Sequence, residues 1–556
     1  MEKRVIIAVI LCVGILVLWQ QLFPTPHAPP PAPAATSPTA PAPSSLPSVP
    51  SSAPTPGSPG STPAAQAGAA AAPVEAEQTV ELLTPAVRFV LSSYGGTLRQ
   101  AQLREPKYLL AKNDPNSGLQ LIRTTKPEHA PLRTTFPSSA FATTADASWT
   151  VSRPAADTVL FVSETDAVRI EKRYQVEPAN YRLHLDVTVQ NKSAKPQDHH
   201  LAMHVFGWQD PANKGGGFLS GPSATLASVL CQVEDKTHRE AIDKLSKPVE
   251  ADGNIKWIAA DEKFFITSAV PFPETPPRPR KCTLRSPETD IGEAVLLFDG
   301  RSVAPQATTT YPFIVFVGPK VITELEKVQP GGQDAQLGSA VDVTLAILSR
   351  PILSLLKFFY SYTRNWGVAI ILLTIFIKLV TFYPTQKALL SGKKMQKLGP
   401  KMAAIRKKYE NDRQRQSVET MNLYKSHGVS PFGGCLPSLI QMPIWIALYS
   451  TLNYAVELYR SPFAGHIHDL TAKDPYYVTP LLMGAVMYIQ MRMSPASPDA
   501  QQQKMMTIMM PLMFTAFSLV LPSGLALYML TSYLIGILQQ LLVNRIDRKT
   551  GGAAAA

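Results

Sequence analysis

Residues 366–385 read WGVAIILLTIFIKLVTFYPT, an apolar run long enough to cross a bilayer that carries one formal charge, Lys378. A charge in the hydrocarbon costs about 2.5–3.5 kcal/mol on insertion scales, so an intramembrane ammonium marks a candidate functional site. The chain has five further apolar runs, at 5–23, 436–456, 476–495, 506–521 and 523–543, and none contains Asp or Glu. A cation with no counter-ion in lipid needs water around it or an anionic visitor.

Working outward from Lys378, the residues Thr374, Lys378, Thr381 and Thr385 fall at helical spacing on one face. Such a polar stripe predicts that this face meets water or other polar groups. The other runs carry matching polarity in Gln441, Ser450 and Asn453, in Gln490, in Thr515 and Ser518, and in Tyr528, Thr531 and Ser532. Together these predict a hydrophilic groove in a five-helix bundle. The competing reading is that Lys378 snorkels. It lies about 18 Å past Trp366 but only about 9 Å before Pro384, so its stem could reach the headgroups. Charge and spacing leave both readings open, and the threonine stripe favours the groove. All but two of the 16 methionines lie between Met395 and Met529, which suits a surface that accepts many apolar sequences but equally suits core packing.

The net charge of +12 is uneven. Between Lys387 and Gly434, Lys and Arg far outnumber Glu410, Asp412 and Glu419. A basic block between apolar runs points to topology and lipid headgroups rather than to specific nucleic-acid recognition. Placing Lys3 and Arg4, the 387–434 block, Arg492 and Lys504, and Arg545, Arg548 and Lys549 on the cytoplasmic side requires six spans. Both termini are then cytoplasmic, with 24–340 outside. Residues 1–23 read as an uncleaved N-terminal anchor, because no small-residue cleavage site directly follows the run. The Pro/Ala/Ser/Thr-rich 24–73 reads as a disordered linker, lacking the side chains to bury a core.

From 74 to 335 the pattern changes to period two. In Tyr181–Asn191, Leu183, Leu185, Val187 and Val189 alternate with Arg182, His184, Asp186 and Thr188. Further strands are predicted at 86–92, 158–163, 168–175, 201–208, 263–269, 294–298 and 310–317, which suggests an antiparallel sandwich. Residues 341–365 predict an amphipathic helix, with Arg350, Ser354, Lys357, Ser361 and Arg364 opposite Leu348, Ile352, Leu355, Leu356 and Phe359, lying in the membrane interface. The insertable core is 366–543, interrupted by a helical hairpin at 387–434, and 544–556 is a short cytoplasmic tail. Cys231 and Cys282 lie in the soluble region and could pair outside the cytosol, but sequence does not show that they meet, and free thiols are expected.

Chemistry is sparse. His466-Ile467-His468-Asp469 resembles a metal cluster, yet no further His or Cys accompanies it in its short loop, so no metal is expected. The Lys214–Gly217 loop lacks the strand–turn–helix setting of a phosphate site. No nucleophile, zinc-protease or paired intramembrane aspartate motif is present, so neither an enzyme nor a cofactor is expected. A solute transporter using Lys378 as an anion site would predict an inverted repeat, and the core spans show none.

Several stretches together resemble the YidC membrane insertases of the Gram-negative type: Asn365-Trp366-Gly367, Gly433-Gly434-Cys435, Leu439-Ile440-Gln441-Met442-Pro443, Asp474-Pro475-Tyr476-Tyr477 and Leu521-Pro522-Ser523-Gly524. The resemblance implies an α-helical membrane protein with six transmembrane helices, five of them a conserved core, and a periplasmic all-β supersandwich. It implies an insertase and folding chaperone of the bacterial inner membrane, acting through a groove open to the cytoplasm and to lipid. It further implies nascent membrane proteins as substrates, the Sec translocon with its accessory subunits as partner, and the ribosome or targeting factors recruited by 387–434. Lys378 stands where a basic groove residue, more usually arginine, is expected, and Thr374 and Tyr528 match other groove-side positions; with Thr381, Gln441, Asn453 and Ser532, taken from the polarity of their runs, they make up the expected substrate-contact set. Met529 stands where relatives often carry an aromatic residue.

Overall fold

The alternation in Tyr181–Asn191 resolves into the strand Arg182–Asn191. Leu183, Leu185, Val187 and Val189 are fully buried on its inner face, while Arg182, His184, Asp186 and Thr188 are half-buried on the other. The computed structural model describes residues 77–553 apart from 112–113, 115, 144–146, 178–180, 214–226, 342–345, 429–435 and 495–502. The expected anchor at 1–23, the linker at 24–73, the Lys214–Gly217 loop and the Gly433-Gly434-Cys435 motif lie outside the described residues. The chain divides into two units, Met1–Ala71 and Ala72–Ala556, and the description concerns the second.

Arg182–Asn191 pairs antiparallel with Val168–Val176 on one side and Thr308–Pro319 on the other. These strands lie in a nine-stranded sheet that runs from Lys236–Ala241 at one edge to Thr150–Ala155 at the other. A five-stranded sheet, from Val249–Gly253 to Arg133–Thr135, covers it. The sheets enclose one core containing Trp257, Phe313 and Phe316; each such side chain contributes about 1.5–3 kcal/mol by leaving water. Every strand predicted above is present, with ends shifted by a few residues. The thiol expectation is corrected: Cys231, on Ser228–Val233 of the larger sheet, is disulfide-bonded to Cys282, on Arg280–Glu288 of the smaller. The pairing of strands across the sandwich, invisible in sequence, brings their Cα atoms to 6.6 Å.

The helices follow. α1 (Ala346–Thr363) matches the predicted amphipathic helix. Its buried side carries Leu356 and packs on α2 (Trp366–Val380), and its Lys357 pairs with Glu457 at 2.6 Å. The expected continuous run at 366–385 is corrected: the helix breaks at Thr381 and turns by 62° into α3 (Phe382–Lys397). Pro384 has no N–H to donate and its ring clashes with the carbonyl four residues back, which forces the turn one helical turn upstream. α4 (Gly399–Lys408) and α5 (Arg413–Ser426) pack together through Leu398, Met402 and Tyr424 as a helical hairpin within 387–434.

α6 (Leu436–Tyr454), α7 (Val478–Met493), α8 (Met510–Ser518, entered through a π turn at Met505–Met509) and α9 (Ser523–Ala553) complete the bundle. α9 continues past its predicted end at 543 into the tail. Among the described residues, Ser523–Arg545 is long and apolar enough to cross a membrane, and the bent α2–α3 pair passes the same test together. Close approach is set by small residues: a Cβ on Gly484 of α7 would fall 2.0 Å from Thr515 of α8, and one on Gly536 of α9 would fall 2.3 Å from Gln490 of α7.

Candidate functional site

Lys378 lies in the last turn of α2, just before the bend. The helix carbonyls that end there favour a cation. Its side chain is half-buried, and among the described residues it has no ion-pair partner. The polar stripe is only partly what its spacing suggested. Thr374 and Thr381 are buried, and their hydroxyls donate to the carbonyls of Ile370 (2.7 Å) and Ile377 (2.8 Å) in their own helix. Thr515, Ser518 and Thr531 are likewise bonded back to their own helices. A hydroxyl satisfied this way needs no water, so spacing alone overstates the wetness of a helix face.

Three predicted site residues do meet. Gln441 of α6 donates its side-chain amide to the Tyr528 hydroxyl of α9 at 2.7 Å, and Ser532, one turn further along α9, bonds the same tyrosine. Asn453 is buried but stands apart, about 18 Å along α6 from Gln441.

The opposite end of the bundle is tied shut by the segment 455–475, which contains His466-Ile467-His468-Asp469. Asn365 caps α2 by accepting from the N–H groups of Gly367 (2.9 Å) and Val368 (3.1 Å), and its amide donates to the Phe463 carbonyl at 3.0 Å. Gly367 is glycine because a Cβ there would fall 2.0 Å from the Phe463 ring. Asp474 accepts from the N–H groups of Tyr476 (3.0 Å) and Thr479 (2.8 Å) at the start of α7, and also pairs with His466 at 3.2 Å. Ser523 and Gly524, opening α9, donate their N–H groups to the Ala472 (2.7 Å) and Leu470 (2.9 Å) carbonyls. Three of the family-like motifs thus serve as helix caps or close backbone approaches that fasten three helix starts to one loop.

The same loop seats the β domain. Lys107 donates to the Val456 and Glu457 carbonyls at 2.7 and 3.0 Å, and Arg460 donates to Leu109 at 2.9 Å. The Tyr459 ring packs against Tyr108, Phe264 and Phe265. Burial pushes the Lys107 ammonium down to about 8, against the opposing pull of Glu457, Glu105 and Asp469.

A large antiparallel β domain docked on one end of an apolar helical bundle defines a membrane protein with a folded domain outside the bilayer. Residues 358–550 match the family model described as 60Kd inner membrane protein, and 79–355 match the YidC periplasmic domain. The chain belongs to the YidC family of membrane protein insertases. The membrane protein insertase YidC of Anaeromyxobacter dehalogenans (strain 2CP-C) is 34% identical to it over 562 residues, covering 100% of this chain and 99% of the relative. That of Syntrophus aciditrophicus (strain SB) is 34% identical over 491 residues, covering 86% and 87%. A solved structure of an active YidC insertase is 20% identical and covers 84% of this chain and 93% of its own, with a TM-score of 0.35.

Proposed function

We propose that this protein inserts apolar segments of newly made proteins into the inner membrane and assists their folding, using the face around Lys378, Gln441, Tyr528 and Ser532 as a hydrophilic groove. Lys378 carries the reading: a half-buried ammonium with no acidic partner among the described residues, at the end of the bundle away from the tied loop. Thr374 and Thr381, whose hydroxyls bond their own helix, support the groove wall, while Asn453 lies buried about 18 Å along α6 from Gln441. The proposed topology has six spans, one of them in 1–23, with the linker at 24–73 and the β domain at 74–335 periplasmic. Both termini, the 387–434 hairpin and the tail after 543 are cytoplasmic. The hairpin's lysines and arginines suit recruitment of the ribosome or targeting factors and contact with lipid headgroups, and the Sec translocon is the proposed partner for longer substrates.

An acidic or polar tail enters the groove and is held transiently near Lys378, while the apolar segment behind it slides into lipid. Partition of about 20 apolar residues supplies the driving force, and the membrane potential adds about 2.3 kcal/mol per charge per 100 mV. No nucleotide is consumed. Reconstituted Lys378→Glu should insert acidic-tailed substrates several-fold more slowly than the parent, whereas Lys378→Arg should keep most activity. A nascent apolar segment should crosslink to photoreactive residues at 378 and 441. Equal insertion by all three proteins would mean that Lys378 merely snorkels, and an absence of crosslinks would remove the groove.

A further inference from the structure

The β domain carries an open cleft of about 260 Å³ lined by residues of both sheets, Phe298 of the smaller and Tyr311 of the larger. Its walls are Phe272, Pro273, Phe298, Tyr311 and Pro312, and its charge is concentrated on one side. There a single carboxylate, Glu274, is shared among three guanidinium groups: Arg280 at 3.1 Å, Arg301 at 2.6 Å and Arg278 at 4.0 Å. The cluster therefore keeps an excess of two positive charges. Arg301 lies over the Tyr311 ring at 4.3 Å and Arg280 over Phe298 at 4.9 Å, so the aromatic walls hold both forks in place. The Nε atoms of Arg280 and Arg301 are enclosed without a hydrogen-bond partner. Arg278, its side chain 48% exposed and only loosely paired, is open to the cleft mouth.

We propose that this cleft binds an extended acidic segment of peptide, with a carboxylate taken by the Arg278–Arg301 pair and a neighbouring apolar side chain seated against Phe272 and Pro312. Guanidinium forks match carboxylates in geometry, and a prolyl–aromatic wall suits an extended chain. A bilayer lipid is disfavoured by position. The strand Phe265–Pro271 begins at the ring cluster around Tyr459, where the β domain meets the loop, and ends at the cleft, about 20 Å along the strand. The occupant rests on the insertase reading: it is the acidic tail of a substrate after it has crossed, held so that it does not slip back.

The test uses the full-length protein in nanodiscs and a short labelled peptide alternating leucine with glutamate, followed by fluorescence anisotropy, with the leucine–glutamine counterpart as control. The glutamate peptide should bind more tightly than the control, and raising salt from about 0.05 to about 0.5 M should weaken it. Arg278→Glu should weaken binding about three- to tenfold without shifting the melting temperature, because the residue lies at the surface. Arg278→Glu should lower binding of the peptide by the same factor in the parent and in a Lys378→Glu background, so failure of the groove and failure of the cleft are separable. Equal binding of both peptides, or no change in Arg278→Glu, would overturn the proposal. So would Arg278-dependent binding of inorganic phosphate or anionic vesicles without binding of the glutamate peptide, which would mark a phosphate site.

Discussion

Glu293 is almost fully enclosed in the smaller sheet, 2% exposed, between His204 at 2.6 Å and Arg285 at 2.5 Å. Burial alone would raise its carboxyl, but the hydrogen bonds from His204 and Arg285 outweigh burial and hold it at about 2, against its ordinary 4.5. A carboxyl depressed by folding stabilises the folded form above its unfolded value, and that contribution is lost as pH falls through the folded value. The β domain should therefore lose stability between about pH 4.5 and 2, with Glu293→Gln showing a flatter profile over that window in melting curves; parallel profiles would refute the assignment. Lys172 makes a related point about legibility. Alternation puts it on the inner face beside Ile170 and Tyr174, and it is indeed fully buried, its ammonium donating to the carbonyls of Gly95, Gly96 and Leu132. The period of the strand is readable in sequence; the three carbonyls that make a buried lysine tolerable come from elsewhere in the chain and are not.

At the scale of the element, helix α2 shows what motifs mean physically. Asn365 both starts the helix and fastens it to Phe463, so Asn365→Ala should cost about 1–2 kcal/mol and lower the thermal midpoint, with Asn365→Asp intermediate because it keeps the capping acceptor and loses the donor. An unchanged midpoint in Asn365→Ala would show that the cap is incidental. The start of this helix was legible, since Asn before an apolar run is a capping signal. Its end is not legible in hydropathy, which reports composition and not direction; Pro384 is the residue that turns the helix short of 385. The threonine stripe is legible only in part for a similar reason. Side-chain spacing assigns a face, but whether a hydroxyl turns outward or back to its own carbonyl is settled by the neighbours packed against it.

Across the whole molecule, one loop ties the starts of α2, α7 and α9 together and also receives the β domain. Tyr459→Ala removes the ring lodged among Tyr108, Phe264 and Phe265, and should raise hydrogen exchange in Glu105–Leu109 while leaving the strand Arg182–Asn191 protected. Unchanged exchange in Glu105–Leu109 would show that the docking does not depend on this contact. The sequence by itself determined the order of parts, the strand-rich domain, the apolar helices, the basic hairpin and the isolated charge at Lys378, because periodicity, hydropathy and charge are properties of neighbouring residues. Only the tertiary structure decided that Cys231 meets Cys282, that Gln441 reaches Tyr528, that Thr374 and Thr381 are spent on their own helix, and that 455–475 is a junction. Each of these depends on residues far apart in the chain being brought within bonding distance, or on what is packed around them, and no local pattern encodes that.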